Sequence, residues 1–169
     1  AAVTAEGITT IRNAAREPEI IDLQNYLNDA GAKINGAGSS IIQIEGVESL
    51  DSCEHRIISD RIVAGTYMTA AAITKGEILL KDIVIDHILS IIAKLKEAGA
   101  IVYANGHSLK IIGPNKPFAI EMLQTLPYPG FPTDMQAQVM TLLTVANGTS
   151  IVNETIFENR FKHAEELTR

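Results

Sequence analysis

Asp134 stands in the most irregular stretch of the chain, Leu126 to Gln138, LPYPGFPTDMQAQ, and a carboxylate in such a setting invites acid–base chemistry. Three prolines and a glycine fix a loop there, and Thr133 then opens a helix with Gln136 three residues on, the spacing of a capping box. Asp134 is thereby placed in a helix's first turn, where two roles are open to it. It complements the helix dipole, a common use of aspartate that is worth about 0.3 to 1 kcal/mol. Alternatively, a rigid loop holds the carboxylate at the lip of a cleft, where it accepts a proton from a substrate hydroxyl.

A second dense stretch, Asn153 to His163, NETIFENRFKH, mixes polar groups with Ile156, Phe157 and Phe161. It follows a predicted strand end, where α/β sites often gather. The plainer reading is a loop whose aromatics tuck into the core while Arg160 and Lys162 start a helix in solvent.

Other chemistries find less support. Cys53 is the single cysteine; it lies in a polar segment with His55 two residues on, but no Asp or Asn partner can be assigned, so a free surface thiol is expected. His55, His87, His107 and His163 lack metal-ligand spacing, and no protein-bound metal is expected. Neither GxGxxG nor a phosphate-loop motif occurs, and Gly36-Ala37-Gly38 follows a helix and leads into a strand, the wrong context for cradling phosphate. No cofactor is expected.

The whole chain sets bounds on what these residues serve. Its 169 residues are 46% hydrophobic and 20% charged, enough for one ordinary domain or two small ones with a sizeable core. The net charge of -6 and the scattered basic residues speak against a nucleic-acid partner. The most apolar stretch, Ile78 to Leu95, is broken by Lys81, Asp82, Asp86, His87 and Lys94, so no membrane span is expected. The lone cysteine and the absence of a signal-like N-terminus point to a reducing, cytoplasmic location.

The elements that position the site read as alternating helices and strands. Glu17 and Pro18 start a helix carried by Ile20, Leu23, Tyr26 and Leu27 and stopped by Gly31; Asn35 to Ser40 make a turn, and Ile42 and Ile44 alternate with polar residues in a strand. Ile85, Ile88, Leu89, Ile92 and Leu95 define a second amphipathic helix ended by Gly99, with a strand from Ser108 to Ile112 after the Asn105-Gly106 turn. The strings Ala30-Gly31-Ala32 and Ala98-Gly99-Ala100 mark an internal repeat about seventy residues long. An offset pair supports it. Asp60 to Gly76 and Asp134 to Gly148 read as small-residue helices, each running into a β-branched stretch, Glu77 to Leu80 and Thr149 to Val152. Such units should pack around a common helical core with sheets outside, or the reverse. Ala1 to Arg12 and Arg160 to Arg169 read as incomplete units, and the polar run between Gly46 and Ile57 is either a domain boundary or a long loop.

Three segments carry a resemblance: Asn13 to Ile20 (NAAREPEI), Phe131 to Gln138 (FPTDMQAQ) and Thr155 to Phe161 (TIFENRF). They resemble the signature segments of the UDP-N-acetylglucosamine 1-carboxyvinyltransferases, a family of enolpyruvyl transferases, and AGAKI, DRIVAGTYMTAAAI and AKLKEAGA fall in order between them. The resemblance implies an α/β fold of repeated βαβαββ-type units forming inside-out α/β barrel domains. Residues 1–47 would then end one domain, 48–55 link, and 56–169 form part of the second. It implies transfer of the enolpyruvyl group of phosphoenolpyruvate to the 3'-hydroxyl of UDP-N-acetylglucosamine, with release of phosphate, as the first committed step of peptidoglycan synthesis, by an enzyme that is monomeric at full length. Asp134 matches the family's aspartate beside that hydroxyl. By the same resemblance Asp134, Ile156, Phe157 and Thr133 bind substrate, Ile156 through its backbone and Phe157 on the uridine side, while Arg160 and Arg61 give electrostatic support. The family's N-terminal Lys-Asn pair, loop cysteine and C-terminal arginines have no counterpart, and Cys53 does not match that cysteine, so the chain alone is expected to have no turnover. Two alternatives stand beside this reading: the sister enzyme acting on shikimate 3-phosphate, and a non-catalytic module that binds a nucleotide-sugar or a protein.

Overall fold

Pro18 begins α1 (Pro18–Asp29), where its missing N–H costs no hydrogen bond and its fixed φ suits the first turn. At the other end Gly31 takes φ +96°, and Ala32 N–H bonds back to the Leu27 carbonyl at 2.9 Å, closing the helix. Asn28 fastens the helix to the next strand by donating to the Ile34 carbonyl at 2.8 Å and accepting the Ile34 N–H at 2.9 Å. Three strands, β1 (Ile8–Arg12), β2 (Lys33–Asn35) and β3 (Ile41–Glu45), form an antiparallel sheet in the order β1-β3-β2, with Ile44 opposite both Thr9 and Ile34. The alternation in β3 buries Ile42 and Ile44 with Ile34, and Ile20 and Leu27 of α1 pack on them. A Cβ on Gly36, at φ +94°, would sit 2.2 Å from the Ile41 carbonyl oxygen, so only glycine fits the turn between β2 and β3.

The computed structural model describes all residues from Ala1 to Arg169, and the chain divides into two compact units, Ala1–Ile58 and Ser59–Arg169. In the first, the polar segment after β3 folds back on α1: Asp51 N–H bonds to the Ala30 carbonyl at 2.8 Å, and the His55 ring lies between Asp22 (3.0 Å) and Asp29 (3.1 Å).

The second unit starts with α2 (Arg61–Ile73), whose first free N–H groups, those of Ile62 and Val63, are taken up by the Asp60 carboxylate at 2.8 and 3.0 Å. Then come β4 (Glu77–Leu80), α3 (Leu89–Glu97), β5 (Ile101–Asn105) and β6 (Ser108–Ile112), the strands forming an antiparallel sheet in the order β4-β6-β5. This is the order of the first unit's sheet, first strand, third, second, so the repeat read from AGA to AGA is one of topology as well as sequence. The parallel pair β7 (Met122–Gln124) and β8 (Ile151–Asn153), connected through α4 (Gln136–Thr144), and a final α5 (Lys162–Leu167) complete the unit. No helix is long and apolar enough to cross a membrane.

Small residues on α2 let its neighbours close in. A Cβ on Gly65 would come 2.9 Å from Met135 Sδ, and one on Gly113, just past β6, 2.3 Å from the Ala71 carbonyl oxygen. Met68, Ile91, Leu95, Leu109, Ile111 and Leu142 are wholly buried around α2, each contributing about 1.5 to 3 kcal/mol by leaving water. Ile101 and Tyr103 of β5 remain exposed, so in this unit the helices lie inside and the sheet outside. The chain is thus a mixed α/β protein of repeated units.

Some details differ from the sequence reading. The Ile85 to Leu95 helix opens with a 3-10 turn, Ile85–Ile88, before α3. The proposed capping box at Thr133 and Gln136 is not formed: Thr133–Met135 is a 3-10 turn, the Thr133 hydroxyl is committed to Glu154, and Gln136 is fully buried. A fixed loop bond to a carboxylate outcompetes a local cap. β7 has only three residues, one of them buried, too short for a two-residue period to show in sequence.

Candidate functional site

The carboxyl ends of the parallel strands β7 and β8 release two loops side by side, where open α/β sheets place their ligands. Thr125 N–H bonds to the Asn153 carbonyl at 3.0 Å, and Leu126 N–H to the Phe131 carbonyl at 2.9 Å, so the proline-rich loop doubles back before the Thr133–Met135 turn. Its Tyr128–Pro129 bond is cis.

Glu154 joins the two loops. One carboxylate oxygen, Oε1, accepts from the Thr125 hydroxyl at 2.8 Å and from the N–H groups of Ile156 and Phe157 at 2.9 and 3.3 Å. The other, Oε2, accepts from the Thr133 hydroxyl at 2.8 Å. Partial burial raises the carboxyl pKa, but the bonds from Ile156 N–H, Thr125, Thr133 and Phe157 N–H outweigh it and hold Glu154 below the ordinary carboxylate range. Thr125 is itself fully buried and also accepts the Thr155 N–H at 2.9 Å.

Arg160 completes the lip. Its Nη2 donates to Asp134 Oδ1 at 2.6 Å, its Nη1 donates to the Thr133 hydroxyl at 3.1 Å, and its guanidinium lies 5.1 Å from the centre of the Phe157 ring. The ion pair is partly exposed, 37% and 53% for the two side chains, and contributes at most about 1 kcal/mol of stability, so orientation is its main effect. Phe157, Glu158, Asn159 and Arg160 line an open depression of about 400 Å³.

Five of the six residues named from sequence, Thr133, Asp134, Ile156, Phe157 and Arg160, are therefore linked on one lip. Arg61 is buried at the start of α2 with its guanidinium 5.6 Å from the Tyr128 ring centre, so it meets the same proline-rich loop through an aromatic contact. Glu154 and Thr125 were not singled out in the sequence. The signal that could have found Glu154 is an acid two and three residues before exposed backbone N–H groups at a strand end, the spacing by which acids cap helices. In the first unit, Cys53 is half-buried, its thiol 3.7 Å from the Tyr26 carbonyl, and both nitrogens of His55 are taken by carboxylates, which leaves no cysteine–histidine nucleophile.

Residues 1–169 match the family model described as EPSP synthase (3-phosphoshikimate 1-carboxyvinyltransferase). The chain belongs to the enolpyruvyl transferase family. Among curated members, it is 56% identical over 169 residues to UDP-N-acetylglucosamine 1-carboxyvinyltransferase of Halothermothrix orenii and 54% identical over 169 residues to enzyme 1 of that name from Caldanaerobacter subterraneus subsp. tengcongensis. All of this chain is covered, and it spans 40% of the length of each. In fold it is similar to the enolpyruvyl transferase NikO of Streptomyces tendae (TM-score 0.86, 24% identity, 99% of this chain and 40% of that one). It is also similar to EPSP synthase of Acinetobacter baumannii (TM-score 0.61, 22% identity, 89% and 36%).

Proposed function

We propose that the protein acts in the transfer of the enolpyruvyl group of phosphoenolpyruvate to the 3'-hydroxyl of UDP-N-acetylglucosamine, with Asp134 as the base. The sugar oxygen attacks C2 of phosphoenolpyruvate while its proton passes to the Asp134 carboxylate and C3 takes a proton from a separate general acid, giving a tetrahedral adduct. Return of a C3 proton to that same group restores the double bond as the C–O bond to phosphate breaks, and phosphate leaves while Asp134 gives its proton up to water. The observation that carries this reading is the Arg160 bond to Asp134 Oδ1, which aims one oxygen and leaves Oδ2 for the hydroxyl. The Ile156 N–H is held by Glu154, so the backbone group this residue offers the nucleotide-sugar is its carbonyl, and Phe157 supplies a ring face on the uridine side.

The same reading makes residues 1–47 the end of one domain, 48–55 a linker and 56–169 part of a second, with Arg61 and Thr133 in support of the site. It gives the reaction a cytoplasmic place in cell-wall synthesis and a monomeric whole enzyme. The relatives at 54 and 56% identity carry the UDP-sugar name, which favours that acceptor over shikimate 3-phosphate. Phosphate release from phosphoenolpyruvate, measured on the protein as its source organism makes it, should require UDP-N-acetylglucosamine and fall at least about a hundredfold in Asp134→Ala. Release driven by shikimate 3-phosphate, or none with either acceptor, contradicts the reading.

A further inference from the structure

We infer that Glu154 is a positioning residue for this reaction: its two oxygens set the Asp134 turn and the Ile156–Phe157 backbone in one frame. The inference rests on the site reading above and deepens it. Four donors from three chain segments converge on one carboxylate: hydroxyls of Thr125 and Thr133 and N–H groups of Ile156 and Phe157. Only a group that accepts on both oxygens can satisfy them together.

The polarity of the chain of bonds then extends to Asp134. Because the Thr133 hydroxyl gives its proton to Glu154 Oε2, its lone pairs face Arg160 Nη1, and Arg160, anchored there, presents Nη2 to Asp134 Oδ1. An amide at position 154 has a single accepting side. Turned to keep Ile156, Phe157 and Thr125, it points N–H groups at Thr133, whose proton then has no acceptor and whose oxygen no longer faces Arg160 alone. Arg160 loses its second anchor and the Asp134 carboxylate its fixed aim. The nucleotide-sugar side, held through Oε1, is kept.

The test is a double-mutant cycle on phosphate release with UDP-N-acetylglucosamine and phosphoenolpyruvate, using Glu154→Gln, Thr133→Val and the double variant of the protein as its source organism makes it, with Asp134→Asn alongside. Glu154→Gln should lower kcat at least about tenfold, the scale of loss from a small misplacement, while leaving KM for the nucleotide-sugar within about twofold. In the Thr133→Val background Glu154→Gln should cost little more, because both changes cut one link. If Glu154→Gln does not fold, Thr133→Val cuts the same link alone, and a wild-type kcat there overturns the inference. Multiplying effects in the double variant, or wild-type kcat in a folded Glu154→Gln, also overturn it. Asp134→Asn with full turnover would overturn the site reading as well, whereas a dead Asp134→Asn beside unimpaired Glu154 and Thr133 variants overturns this inference alone.

Discussion

Arg160 Nη2 lies 2.6 Å from Asp134 Oδ1, although the two residues belong to different loops beyond the ends of parallel strands. The guanidinium reaches Thr133 with its other nitrogen and covers the Phe157 ring, so one planar group orients the carboxylate, the turn and the aromatic wall together. Lysine is a point charge and cannot serve Asp134 and Thr133 in fixed geometry. Arg160→Lys should keep the fold and lower kcat about tenfold or more. Steady-state kinetics beside a thermal melt check this; an unchanged kcat would show that Arg160 does not aim Asp134.

His55 should make the first unit sensitive to pH. Its pKa is raised, first by the hydrogen bond to Asp22 and then by that to Asp29, which together with the charges of the two carboxylates outweigh the opposing effect of burial. A group whose folded pKa is raised adds stability that is fully present below its unfolded value, about 6.5, and is lost as pH rises through the higher folded value. The melting temperature of wild type should exceed that of His55→Asn at pH 6, and the gap should shrink as pH rises past the folded pKa of His55. A gap independent of pH would show that the charge of His55 plays no part in holding the 46–58 segment on α1.

Gln136 is fully buried among Met135, Val139 and the rest of the core, and neither amide atom meets a protein partner. A buried polar group without a bond costs about 1 to 3 kcal/mol, so Gln136→Met, similar in shape, should raise the melting temperature. A lower melting temperature would reveal a bond to that amide that the protein's own atoms do not make.

The fold was legible where it depends on local physics. Pro18 and Gly31 bracket α1, Ile42 and Ile44 alternate in β3, and the AGA strings fall at equivalent points of two sheets with the same strand order. Asp134, Ile156, Phe157 and Arg160 could be named because their segments are locally unusual and resemble those of a known family. What ties them together could not be read. Glu154 bonds Thr133 across 21 residues and Thr125 across 29, and no period or spacing in a sequence reports a contact made only when two loops leave adjacent strands. The capping-box reading failed for the same reason: Thr133 is helix-like in its local context, but its hydroxyl answers to a distant carboxylate.

The most direct test of Asp134 as base separates binding from chemistry. Calorimetric titration of UDP-N-acetylglucosamine and phosphate-release kinetics should be run on wild type and Asp134→Ala, each as the protein its source organism makes. A base acts in the transition state, so the variant should bind the nucleotide-sugar within about tenfold of wild type while turnover falls at least about a hundredfold. Equal losses in affinity and in kcat/KM with kcat preserved would contradict the account, making Asp134 a binding group and leaving the proton transfer to another residue.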